Sequence, residues 1–136
     1  MGLGQDFFSS WTPEALGALR LVSAYLYLQH GTAKLFHVPH VPAFDQLRVL
    51  SRDGVAGILE VAGSVLLLLG LFTCPVALIL SGEMAVAYFL VHARRGHFFM
   101  PALNEGEPAI LYCFIFLFLA VAGGGSWALD GYLGAQ

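Results

Sequence analysis

Charge is scarce in this sequence: Asp, Glu, Lys and Arg make up 11% of its 136 residues, while 58% are apolar. A water-soluble domain carries about 25% charged residues and 45–50% apolar ones, so the composition argues against a surface built for water. The net charge is -3, with 6 Lys and Arg against 9 Asp and Glu and no long run of like charge. Nucleic acid is therefore not an expected partner, because phosphates require a basic face. Cysteine is scarce too: Cys74 and Cys113 form neither a C-x-x-C motif nor a zinc-ligand spacing and read as small apolar fillers. A basic leader is also lacking, since residues 1–13 contain Asp6 and no Lys or Arg, so the mature chain is expected to begin near Met1.

What the sequence does have is apolar length. Four stretches, at about 14–36, 54–73, 75–93 and 108–126, approach the roughly 20 residues that a helix needs to cross a bilayer. The stretch from Ile110 to Ala122 is apolar all round, with no polar stripe for water, which favours membrane over a soluble bundle. The expected fold is all-α: a single transmembrane domain over 1–136, a four-helix bundle with a hairpin through Cys74-Pro75. In the loop 37–53, Phe44, Leu47 and Leu50 recur a turn apart opposite Asp45, Arg48 and Arg52, which suggests a short interfacial helix; an ordered loop fits equally well.

Basic residues orient the bundle. Lys34, Arg48, Arg52, Arg94 and Arg95 all fall on the side of the two long loops, which places those loops in the cytoplasm and both termini outside. Trp11, Trp127 and Tyr132 then form an aromatic belt at the outer surface.

Ionisable residues inside the spans are costly unless paired or facing a wet interior. At 1.5 Å per residue, Arg20 and Glu83 lie roughly 9 and 12 Å below the outer surface, so an ion pair between the first and third helices is expected. His30 and Glu60 lie about 9 Å from the inner face, with Lys34 and His92 shallower and Glu107 at the mouth. His30 and Lys34 share one helix face, and Glu60 is followed on its own face by Gly63 and Ser64, small enough for close packing. His92 lies half a turn of azimuth from Glu83, so either the third helix bends or His92 reaches out toward the interface.

The result is a polar pocket open to the cytoplasmic side. Its residues suit three roles: polar glue between helices, a small-molecule site such as one for a quinone headgroup, and a metal site, which is the least favoured. No haem is expected, because the c-type attachment signature is lacking.

The ordered set Leu19-Arg20, His30-Gly31-x-x-Lys34-Leu35, Leu59-Glu60-x-x-Gly63, Leu69-Gly70-Leu71-x-Thr73, His92, Asn104-Glu105-Gly106-Glu107-x-x-x-Leu111-Tyr112 and Ser126-x-x-Leu129-Asp130 resembles the DoxX family of small four-helix membrane proteins. The resemblance runs from about Pro13 to Asp130 and falls on Arg20, His30, Lys34, Glu60, His92, Glu107 and Tyr112. It implies a bacterial inner-membrane protein with a redox association, since relatives include subunits of thiosulfate:quinone oxidoreductases. Glu105 departs from the pattern by adding a carboxylate at the mouth.

The expected function is thus a membrane subunit of a quinone-linked oxidoreductase or redox-stress complex. His30 and Glu60 would exchange protons, Lys34 would polarise an oxygen, and Tyr112 would stack or hydrogen-bond, with His92 and Glu107 completing the site. A soluble redox partner is implied, and a homo-oligomer is compatible. The alternatives are a non-catalytic scaffold or assembly factor for soluble redox proteins and, more weakly, a small-molecule or metal transporter.

Overall fold

A computed structural model describes residues 2–134, and among them the chain is helical with no strand. Helix α1 covers Leu3–Ser10, α2 Thr12–Phe36, α3 Arg52–Leu69, α4 Thr73–Ala87, α5 Glu107–Ala122 and α6 Leu129–Leu133. Proline stands in the first turn of α2 and of α5, where its missing N–H removes no helical bond. Ser51 caps α3 by accepting from the Gly54 N–H at 3.2 Å, and Gly70 ends that helix at φ 68°. Only Leu71 and Phe72 separate Gly70 from the start of α4 at Thr73, so α3 and α4 form the expected antiparallel hairpin.

Of the four expected spans, one is long and apolar enough to cross a membrane: α4 with its continuation, 23 residues from Thr73 to Arg95. Helix α5 is apolar but only 16 residues long, and the 25-residue α2 carries Glu14, Arg20 and Lys34 along its length. The continuation of α4 is irregular. A π-turn occupies Tyr88–His92 and a 3-10 turn Ala93–Arg95 before Gly96 breaks the helix.

Helix α2 packs on α3, and α4 on α5, around a core that includes Tyr27, Leu67, Leu80 and Phe116. Small residues permit the closest approach: a Cβ on Gly31 would lie 2.7 Å from a Val61 methyl and 2.9 Å from the Glu60 Cβ. Large apolar side chains also cover the outside, with Phe114 64% and Val121 83% exposed on α5. A surface so apolar is unusual for a protein in water.

The expected interfacial helix is not formed. Between Phe36 and Arg52 the chain makes only a three-residue 3-10 turn, Pro42–Phe44, followed by further turns. Phe44 lies beneath the Lys34 ammonium, 5.9 Å from ring centroid to Nζ, while Leu50 is 94% exposed, so the apolar residues do not share a face. The chain instead reserves its capping residue, Ser51, for α3. Helices α1 and α6, both short, flank the bundle at the end where the α3–α4 turn lies. There, the Ser126 N–H donates to the Pro13 carbonyl at 2.9 Å and the Asp130 N–H to Gly70 at 2.9 Å, tying the C-terminal segment across that turn.

Candidate functional site

Polar side chains gather at two levels. At the turn end, Arg20 is fully buried and donates to five carbonyl oxygens. Leu67 and Leu68 lie in the last turn of α3, whose carbonyls have no helical partner, and a cation there also meets the negative end of the helix dipole. Gly124, Ser126 and Trp127, at 2.9, 3.2 and 3.0 Å, belong to the C-terminal segment. Beside it, Asp130 accepts from the Phe72 and Thr73 N–H groups, each at 2.8 Å, at the start of α4. Burial acts to raise the Asp130 carboxyl, but these bonds and the nearby Arg20 charge outweigh it and hold the group below its ordinary value.

This geometry corrects the expected Arg20–Glu83 pair. Arg20 is taken up by backbone carbonyls, and Glu83 accepts instead from the Tyr27 hydroxyl at 3.2 Å. Arg20 and Tyr27 lie about two turns apart on α2, and it is Tyr27 that comes level with Glu83. Similar depth was a poor guide because the guanidinium reaches away from the bundle centre, toward helix ends rich in unpaired acceptors.

At the loop end, a cavity of about 510 Å³ opens between α2, α3, α4 and α5. The expected residues His30, Lys34, Glu60, His92 and Tyr112 all line it. Glu107 does not: it is exposed in the first turn of α5, and Glu105 stands at the rim in its place. Lys34 and Glu60 form an ion pair at 2.6 Å with both side chains largely buried. Tyr27 and Glu83 complete the depth of the cavity, and sequence reasoning missed Tyr27 altogether. Tyr27 contacts Tyr112 and Phe116 at centroid distances of 5.1 and 4.9 Å, and the His30 ring meets Tyr112 edge-on at 5.9 Å.

Two carboxylates that line this cavity have an oxygen without a partner among the described residues: Glu60 Oε2 and Glu83 Oε1 are buried and accept no hydrogen bond there. Buried carboxylate oxygens without donors are costly, and they mark a place where a ligand's donors fit. No three His, Cys, Asp or Glu side chains converge as a metal site among the described residues.

The π-turn settles where His92 goes. A π-turn spaces its bonds five residues apart, and the widened turn rotates His92 to the cavity side shared with Glu83. Its Nδ1–H donates to the Asn104 carbonyl at 3.1 Å. Asn104 is itself buried and organises the following loop, donating to Gly96 at 3.2 Å and accepting from the Gly106 N–H at 2.9 Å. At the rim, Arg95 pairs with Glu105 at 2.6 Å, so the additional carboxylate is neutralised there.

The sequence model of the DoxX family matches residues 15–93, which contain Arg20, His30, Lys34, Glu60 and His92. A protein of Haemophilus influenzae, described as uncharacterized, is 43% identical, with the match covering 88% of this chain and 91% of that protein. No solved structure matches. A family match over more than half of the chain, together with a relative this similar along nearly its whole length, means that the chain belongs to the membrane-associated DoxX family.

Proposed function

We propose that α2 to α5 form a four-helix transmembrane bundle in a bacterial inner membrane, with the loop-end cavity in contact with the cytoplasmic side. The chain acts there as the membrane subunit of a quinone-linked oxidoreductase or redox-stress complex. A quinone, or a small molecule of similar shape, binds in the cavity.

One observation carries this reading: Glu60 and Glu83, each with a buried carboxylate oxygen that has no donor among the described residues, line a cavity that also holds a buried Lys34–Glu60 pair. A volume of about 510 Å³ falls in the range of roughly 300–1,000 Å³ typical of small-molecule sites. Apolar Met84, Ala87 and Leu90 wall one side, suited to a ring, while Tyr112 offers an aromatic face. A bound quinone supplies the electron-accepting ring. The residues hold it and move protons: His30 and Glu60 exchange them, the Lys34 ammonium polarises an oxygen, and Tyr27 and Tyr112 fix the ring. Interior carboxylates outnumber the one interior ammonium, which disfavours an anionic ligand.

A second reading, a scaffold for soluble redox proteins, is favoured by the exposed Phe98, Phe99 and Met100 on the loop after α4, an apolar patch at the same end.

Binding of ubiquinone-1 to the purified chain in lipid nanodiscs tests the proposal. The expected result is saturable binding to the wild type, loss of binding in His30→Ala at unchanged melting temperature, and loss of binding in Lys34→Met/Glu60→Gln, a double variant that strands no buried charge. A wild type that binds no quinone, with variants that only melt lower, selects the scaffold.

A further inference from the structure

A second cavity, about 270 Å³, lies on the outer face of α2 beneath the first long loop. Leu26 and Gln29 from α2 and Val41 from the loop form its outer wall. His30, Phe44 and Tyr112 line both this cavity and the main one. The two spaces therefore adjoin at these side chains, with His30 and Tyr112 meeting ring to ring at 5.9 Å. Here α2 and α5 pack mainly on α3 and α4 and only lightly on each other.

The character of the two cavities differs. The main one carries charged side chains, among them Lys34, Glu60 and Glu83, set in apolar walls, whereas the second is lined by aliphatic, aromatic and neutral amide groups together with His30. Around it α2 turns large apolar side chains outward, with Val22 and Tyr25 58% and 59% exposed. A polar chamber that continues past two movable rings into an apolar groove on a bilayer-facing helix fits a molecule with a polar head and an apolar tail.

We infer that the site takes an amphiphilic ligand laterally, between α2 and α5, with the head beside Lys34 and Glu60 and the tail passing His30 and Tyr112 into the groove at Leu26 and Gln29. This rests on the proposed headgroup site and adds the route and the ligand class. An apolar tail has no reason to leave past the charged Arg95–Glu105 pair at the rim, which favours the lateral route.

The experiment compares ubiquinone-1, which has a short tail, with decylubiquinone in nanodiscs, with affinities expressed against quinone mole fraction in the bilayer. Wild type, Gln29→Trp and Leu26→Trp are measured, each variant checked for an unchanged melting temperature. The expected result is that the wild type binds both quinones. Each tryptophan then weakens decylubiquinone tenfold or more while ubiquinone-1 changes by less than about twofold. Leu26→Trp serves if Gln29→Trp does not fold. Tryptophan variants that weaken neither quinone, or both equally, overturn the lateral route and leave the headgroup site standing. So does a wild type that binds only ubiquinone-1. A wild type that binds neither overturns both.

Discussion

Arg20 and Asp130 hold one helix turn from its two sides: Arg20 donates to the Leu67 and Leu68 carbonyls at the end of α3, and Asp130 accepts from the Phe72 and Thr73 N–H groups at the start of α4. Each charge faces the helix end of opposite polarity. The turn is thereby closed by side chains remote in sequence.

Removing Arg20 should leave several buried carbonyls without donors. Hydrogen bonds to charged groups contribute about 1.5–3 kcal/mol each, so Arg20→Ala is expected to cost at least about 3 kcal/mol, read as a large fall in melting temperature. Because Arg20 and Glu83 do not touch, the double variant Arg20→Ala/Glu83→Gln should be additive within about 0.5 kcal/mol. A coupling well above that would restore the direct pair.

Asp130 gives a pH signature. Its folded-state carboxyl titrates below the ordinary value of 3.8, so the group stabilises the fold above that value and the contribution is lost as pH falls below it. Wild type should exceed Asp130→Asn by about 1 kcal/mol at pH 7, the scale of a helix cap, and the gap should close toward pH 3. A gap that is constant with pH would assign the effect to shape alone.

Lys34 and His30 should behave differently although they are one turn apart. Lys34→Met strands the buried Glu60 carboxylate, at about 3–5 kcal/mol, and Lys34→Met/Glu60→Gln should recover most of that loss. His30, exposed on the cavity wall, should change melting by less than about 1 kcal/mol when replaced by Ala. Equal destabilisation in both single variants would make His30 a packing residue.

Cys74 and Cys113 are free in this fold, the first exposed at the start of α4 and the second half-buried in α5 beside Ser81. Cys74 should react with a membrane-impermeant maleimide in the native protein. Cys113 should react fully only after denaturation. An oxidised monomer, which needs Cα atoms about 4.4–6.8 Å apart, would contradict the helix arrangement.

The proposed topology rests on Lys34, Arg48, Arg52, Arg94 and Arg95, all at the loop end. Reporters placed after Gln136, which like Met1 lies outside the described residues, should report the outer side. Activity of a cytoplasmic reporter at that position would invert the bundle and the side from which the cavity opens.

Helices α2 to α5 and most of the cavity could be read from sequence because apolar length and isolated charges are strong signals, and depth along a helix follows from residue count. His30, Lys34 and Glu60 came together for that reason. Arg20's partners could not be read, since backbone carbonyls belong to every residue and carry no signature. Tyr27 was hidden among apolar neighbours as one more aromatic. His92 depended on a π-turn, which no pattern between Tyr88 and His92 announces. The interfacial helix failed because three apolar residues a turn apart are too few to hold a helix without a partner surface.

The Arg20 contacts also impose an order in time. Arg20 emerges from the ribosome with the first long helix, but Gly124, Ser126 and Trp127 follow 104 to 107 residues later. At roughly 5–20 residues per second, this guanidinium waits on the order of ten seconds for three of its five acceptors. Until then α2 carries an incompletely satisfied buried cation. The first long helix made is therefore among the last to settle, and its final seating depends on completion of the chain's far end.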